Sequence, residues 1–202
     1  MDSKKLLFIV FILLIVFAVG FNLMGFEHNN PLAESLKAHQ HKEDVSMAVT
    51  GDIMLGRTVA SAISSSSPPL AGISNVTSNV DLLLINLENA ATTSENAVKG
   101  DIPLKCNPSD VILAKGNNNT IAALANNHVC DYGIGGMNDT IKTVKDAGMT
   151  PIGAGGNENE AHAPAVEEIG GRNITIFNYM DSKNFAEYDY QTMPYANGSA
   201  PG

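Results

Sequence analysis

From residue 44 onward, short apolar runs alternate with stretches that have helical spacing. Residues 45–50 alternate between apolar and polar side chains and lead into Gly51 and Asp52, which predicts a strand running into a turn. Residues 81–85 consist of Asp81 and an apolar run, residues 82–85, that ends at polar Asn86, which is typical of a strand buried on both faces. Residues 120–124 predict a third strand of this kind. The alternation indicates an α/β domain over residues 44–202.

Further elements follow from local signals. Residues 57–63 and 137–147 predict helices, the second one ended by Gly148 at the position that favours glycine. Residues 107–110 predict the start of a helix, because a proline stands near its first position. Residues 104–106 predict a short strand. The apolar segments on either side of Gly170-Gly171 predict a β-hairpin.

The N-terminus predicts a membrane segment. Residues 6–26 are almost wholly apolar and follow Lys4 and Lys5; at about 1.5 Å per residue they are long enough to cross a hydrocarbon core of ~30 Å. We therefore expect a signal-anchor at residues 1–26, a juxtamembrane linker at residues 27–43, and a C-terminal domain on the outer side of the cell membrane. A cleaved signal peptide is the alternative, because Ala18-Val19-Gly20 has the small-x-small form of a cleavage site.

Composition excludes several classes of function. The chain of 202 residues has a formal net charge of -9, which argues against nucleic-acid binding. Its two cysteines are too few for a disulfide scaffold or a cysteine-rich zinc module. They leave open a single Cys106–Cys130 disulfide, which the oxidising environment outside the cell would permit.

Polar clusters follow the ends of three predicted strands, at the edge where open α/β sheets bind ligands. Their carboxylate, amide and imidazole groups suit a divalent metal such as Mn, Fe, Zn or Mg. The clusters comprise Asp52 with Arg57, then Asn86 and Glu88, and finally Asn126, Asn127 and His128. The guanidinium of Arg57 would suit a phosphate or carboxylate of the substrate.

Several of these residues, and the nearby Asp131, also have a structural interpretation, and His128 alone could be a structural histidine. Asp52 could cap a turn or helix, Asn86 and Asn126 could be turn residues, and Asp131 could shape the turn after His128 rather than contact substrate. The glycines at 153–156 lack the spacing of a nucleotide-binding loop, so a tight turn is the better interpretation.

The clusters lie in longer motifs that resemble those of the CapA (PgsA-like) capsule and poly-γ-glutamate synthesis family, whose domain is similar to the calcineurin-like metallophosphoesterases. The matching segments are Gly51–Arg57, Ile85–Glu88, Leu124–Gly136, and Gly153–Gly155 with Asn157, Glu160-Ala161 and Pro164. The resemblance implies a metallophosphoesterase-like layered α/β domain behind the membrane anchor.

The resemblance also implies roles for individual residues. Asp52 and Asn127 would be metal ligands, Glu88 would take the place of a metal-bridging carboxylate, and His128 would occupy the general-acid position. Met54 stands where a phosphoesterase D-x-H motif has its histidine, a feature of the CapA pattern.

Family members continue with further strands and histidine motifs, whereas no histidine follows His162 in this sequence. We therefore expect an N-terminal portion of the domain, either a truncated gene product or one half of a split pair whose partner supplies the remaining motifs. The expected function is the synthesis or export of an anionic surface polymer, in contact with its synthase complex. Two alternatives stay open: a metal-dependent phosphoester or amide hydrolase, and a non-catalytic assembly or binding subunit.

Overall fold

The computed structural model describes residues 44–63, 68–98 and 100–180, all within the compact unit Glu43–Gly202. Its strands are, in chain order, β1 (Met47–Ile53), β2 (Leu82–Leu87), β3 (Ala90–Ala91), β4 (Lys105–Cys106), β5 (Thr120–Ala123), β6 (Thr150–Ile152), β7 (Ala165–Ile169) and β8 (Arg172–Ile176). The α-helices are α1 (Arg57–Ile63), α2 (Ser74–Thr77), α3 (Gly133–Asp146) and α4 (Glu158–Ala161). Two 3-10 helices span Ala71–Ile73 and Pro108–Ala114.

Four strands form a parallel sheet in the order β1-β2-β5-β6. Strand β2 is central and largely buried, as its unbroken apolar sequence predicts. One face of the sheet packs into the larger core, which includes Leu83, Ile85 and Leu124. A parallel sheet with helices agrees with the predicted layered α/β class and brings the carboxyl ends of β1, β2 and β5 to one edge.

Helix α3 covers the larger core. Its buried residues Met137, Thr140 and Val144 recur at the spacing of one helix face. Gly148 has a φ of 69° and donates its N–H to the carbonyl of Lys145, which confirms the predicted glycine stop. The helix begins four residues before the predicted start, at Gly133, whose φ of 65° favours glycine.

The hairpin prediction is confirmed by the antiparallel pair β7–β8, with Gly170 and Gly171 both at positive φ. Its apolar side chains pack on the second face of the sheet. This smaller core contains Leu82, Ile121, Ile152 and Ala165, with Ile174 and Ile176 packed against it. The hairpin thus adds a layer opposite α3.

The predicted anchor at residues 6–26 and linker at residues 27–43 lie outside the described residues. Within the described ranges, no helix is long and apolar enough to cross a membrane.

The two cysteines are buried thiols, and no disulfide joins them in the structure. They have different neighbours: Cys106 Sγ accepts a hydrogen bond from Asn89 Nδ2 at 3.1 Å, and Cys130 Sγ lies 4.0 Å from Met137 Sδ. Burial raises the pKa of the Cys106 thiol to about 12, so this group remains protonated. The structure thus has Cys106 and Cys130 as two separate thiols.

Candidate functional site

The first part of the site is built by the pairing of β1 with β2. The register is regular up to Val49 and resumes at Asp52, which pairs with Asn86. Strand β1 thus continues past the predicted end, and the irregularity brings Asp52 beside Asn86. The Asn86 side-chain amide donates to Asp52 Oδ1 at 2.9 Å and also to Glu88 Oε2. One amide group therefore joins two carboxylates at the carboxyl edge of the sheet.

The loop after β5 joins the same network through Asn126. Its amide donates to Asn86 Oδ1 at 3.1 Å and to the carbonyl of Leu87 at 2.8 Å. Its Oδ1 accepts the backbone N–H of His128 at 3.1 Å. The Asn126 side chain is buried, and its hydrogen bonds are made to other groups of the protein. It is the connection between the carboxylates and the histidine.

His128 is oriented by Asp131. The Nδ1 atom lies 2.8 Å from Asp131 Oδ2, and the same oxygen accepts the backbone N–H of Leu104 at 2.6 Å. Asp131 Oδ2 is thus already an acceptor for the Leu104 N–H, and we assign Nδ1 of His128 as its second donor. Nε2 is then the ring nitrogen that can exchange a proton with a substrate. Asp131, which is fully buried, supports the histidine from within the protein.

The surroundings of Glu88 raise the pKa of its carboxyl group. Burial raises the pKa of its carboxyl, and the hydrogen bond from Asn86 opposes that rise. The negative charges of Asp52 and Asp131 raise the pKa further, whereas His128 lowers it. The ionised form of Glu88 is thus held in a place that disfavours a negative charge.

This perturbation predicts how stability depends on pH. The pKa of Glu88 in the folded protein is above its ordinary value of 4.5. Protonated Glu88 therefore contributes its full stabilisation below pH 4.5, and this contribution is lost as the pH rises through the folded-state pKa. Since Glu88 is half-buried and partly screened by solvent, we expect Glu88→Gln to stabilise the protein at pH 7 by about 0.5 kcal/mol.

Urea unfolding of chelator-treated full chain between pH 4 and pH 8 would measure this effect. The gain should shrink toward pH 4, and Glu168→Gln, an exposed substitution on β7, should show no such trend. A Glu88→Gln variant that is no more stable than wild type at any pH would contradict the prediction.

The remaining candidates are placed differently. Asn127 lies between Asn126 and His128 in the same loop and is half-buried. Arg57 is exposed at the first residue of α1, outside the hydrogen-bonded network that the described residues form. Its φ of 55° is uncommon for a residue other than glycine and is a form of strain found at functional positions.

Asn89 is a supporting residue that sequence reasoning missed. It is fully buried, and its Oδ1 accepts the N–H of Leu55 at 2.9 Å, while its amide contacts Cys106 Sγ. Asn89 thereby fixes the segment between Asp52 and Arg57. A polar residue directly after the Asn86–Glu88 cluster was the available signal, but its partner lies 34 residues away in the chain.

The carboxylate, amide and imidazole groups of the site are of the chemical types that bind divalent cations. The carboxylates of Asp52 and Glu88 converge on a single positively polarised amide, and asparagine oxygens and an imidazole lie in the adjoining loop. These are donors that Mn, Mg, Zn and Fe accept. Among the described residues, however, no group of three or more His, Cys, Asp or Glu side chains is arranged to hold a metal ion.

Fold and site together define a class of protein: a parallel α/β domain with a carboxylate, amide and histidine network at the carboxyl edge of its sheet. Residues 46–201 match the family described as bacterial capsule synthesis protein PGA_cap, and the chain belongs to that family. The resemblance inferred from the motifs is thereby confirmed.

Several curated proteins similar to this chain are described as capsule or polymer biosynthesis proteins. The chain is 29% identical over 150 residues to a capsule biosynthesis protein CapA of Bacillus anthracis, covering 71% of this chain and 36% of that protein. It is 31% identical over 168 residues to a PGA biosynthesis protein CapA of Bacillus subtilis, covering 76% and 43%. A probable polyglutamine synthesis accessory protein of Mycobacterium tuberculosis is 33% identical over 91 residues, 45% of this chain and 24% of that protein. The chain thus spans less than half the length of these relatives.

Proposed function

We propose that this protein takes part in the biosynthesis or export of an anionic surface polymer of the capsule or poly-γ-glutamate type. Membership of the capsule synthesis family and the descriptions of the relatives support this role. The proposal includes a single-pass anchor at residues 6–26 and a metallophosphoesterase-like domain outside the membrane. The proposed partners are the membrane and the polymer or its synthase complex.

The observation that carries a chemical role is the continuous network from Asp52 through Asn86 and Asn126 to His128. We propose a metal-dependent hydrolase that cuts phosphoester or amide bonds in the polymer. Asp52, Glu88 and Asn127 would hold a divalent cation, which would polarise the scissile group as a Lewis acid.

His128 and Arg57 have the other chemical roles in this proposal. With Nδ1 held by Asp131, the protonated imidazole presents its Nε2–H and can give that proton to the leaving group. The charge of Asp131 stabilises the protonated ring through a charge-assisted hydrogen bond. The exposed guanidinium of Arg57 would bind a carboxylate or phosphate of the polymer.

A second candidate is a non-catalytic assembly or binding subunit. It is favoured because the Asn86 amide already bonds both Asp52 and Glu88, so the carboxylates have a partner without a cation. Asn86 would then be a structural residue that keeps the edge of the sheet together.

Metal content separates the two candidates. We would measure Mn, Fe, Zn and Mg in the purified full chain by elemental analysis, beside an Asp52→Ala/Asn127→Ala double variant. The matched control is Asp101→Ala/Asn118→Ala, which removes the same side-chain types from exposed positions. About one equivalent of metal in wild type and control, lost in a double variant that still folds, supports the hydrolase.

A well-folded wild type without metal would overturn the metal-dependent hydrolase for this chain. Polymer production in cells then tests the assembly role. That role predicts normal output from Asp52→Ala and His128→Ala cells and a loss of output when the whole domain is deleted.

A further inference from the structure

Asn178, which follows the last strand of the hairpin, contacts the loop after β5 that leads into the candidate site. Its side-chain Oδ1 accepts the backbone N–H of Ala125 at 2.7 Å. Asn178 and Ala125 are 53 residues apart in the chain, so the contact joins the hairpin layer to the loop after β5. Sequence reasoning did not single out Asn178.

Ala125 lies beyond the end of β5 at Ala123, and its N–H bonds a side chain instead of a neighbouring strand. The N–H of Leu124 still bonds the carbonyl of Ile152 at 2.8 Å, and Ile152 is the last residue of β6. Gly153 then turns away with a φ of 83°. Ala125 is buried, and the Asn178 side chain supplies the acceptor for its N–H.

Gly153 packs closely against both Asn178 and Ala125. A Cβ atom at this position would lie 2.2 Å from Asn178 Oδ1 and 2.8 Å from the Ala125 nitrogen. The backbone at 153 therefore has room for glycine alone while Asn178 bonds Ala125. The residues beyond Asn178 are also held: Tyr179 makes an edge contact with His162 at 5.3 Å between ring centroids, and Met180 packs on the larger core.

We propose that Asn178 is a positioning residue of the candidate site. By fixing the Ala125 amide it sets the direction of the chain into Asn126, which bonds Asn86 and accepts the N–H of His128. The hairpin thereby acts on His128 through the backbone, without any contact to substrate. The inference that this matters for metal binding rests on the proposed function.

The test compares the full chain with Asn178→Ala, Asn178→Asp and the control Asn173→Ala, an exposed asparagine of β8 on the same hairpin. Aspartate keeps an oxygen acceptor for the Ala125 amide and should restore what alanine loses. The first readout is backbone hydrogen exchange, resolved to single amides by fragmentation mass spectrometry.

We expect Asn178→Ala to raise exchange at both Ala125 and His128 by about tenfold, with Ile121–Ala123 unchanged and the other two variants close to wild type. His128 is the informative amide, because it bonds Asn126 and not Asn178. Unchanged exchange at His128 would overturn the positioning role. An equal rise throughout β5, or no recovery with Asn178→Asp, would also overturn it and leave only a structural role.

The second readout is Mn²⁺ affinity by titration calorimetry. We expect affinity to fall about tenfold in Asn178→Ala and to be kept in Asn178→Asp and Asn173→Ala. Equal affinity in all variants, with wild type binding Mn²⁺, would overturn the link between Asn178 and the site. A wild type that binds no Mn²⁺ overturns the metal-dependent function instead, and His128 exchange alone then decides the role of Asn178.

Discussion

Replacing Asp131 with alanine is expected to destabilise the folded protein by about 3 kcal/mol. The substitution removes the oxygen that accepts both the Leu104 N–H and the His128 ring N–H. Leu104 is buried, so its amide would lose its acceptor in a place that water does not reach easily. The side chain of Asp131 is itself fully buried, and alanine leaves part of its volume empty.

Asp131→Asn is the matched variant. Because both hydrogen bonds end on the same oxygen, Oδ2, an asparagine with its carbonyl in that place can accept both of them. We expect a loss of no more than about 1 kcal/mol in Asp131→Asn. Urea unfolding followed by circular dichroism would measure both variants, since the chain has no tryptophan for fluorescence. Equal losses in Asp131→Asn and Asp131→Ala would contradict the stabilising role of the shared oxygen.

Gly56→Ala is expected to cost a similar amount, about 3 kcal/mol. A Cβ atom at position 56 would lie 2.1 Å from the backbone carbonyl oxygen of Lys105 on β4. A backbone group cannot rotate away as a flexible side chain can, so β4 and the start of α1 would have to separate. The shift would also move Arg57, the next residue, from its strained conformation.

Gly51→Ala is the control, because it lies in the same motif on β1 and a Cβ atom there meets nothing within 4 Å. We expect this control to change stability by less than about 0.5 kcal/mol. Urea unfolding of the two variants would measure the difference. A Gly56→Ala protein as stable as Gly51→Ala would contradict the close packing of residue 56 on β4.

Most elements of the domain could be predicted from local sequence. The apolar run of β2, the Gly170-Gly171 hairpin and the glycine after α3 are signals contained within a few residues. The short strand β3 could not be predicted, because two alanines have no pattern of their own and β3 exists through its pairing with β4. The boundary of β1 was wrong by several residues, since its last part is set by the register with β2.

The candidate site was predicted in part. Strand ends correctly indicated that Asp52, Asn86 and Asn126 would meet, since parallel strands share one carboxyl edge. Arg57 was grouped with them because it is close in sequence, but the structure places it on α1 outside the network. The bonds from the Leu104 amide to Asp131 and from the Ala125 amide to Asn178 could not be found, because each of these two crosses more than twenty residues of chain.

The sequence by itself determined the kind of domain, the residues available for chemistry and the family. Those properties depend on periodicity and on motifs that are local in the chain. Only the tertiary structure decided which groups share hydrogen bonds: one amide between Asp52 and Glu88, one oxygen for Leu104 and His128, and the Asn178 side chain for the Ala125 amide. The reason is geometric, because a hydrogen bond requires its two atoms to lie about 3 Å apart, and packing between layers sets that distance.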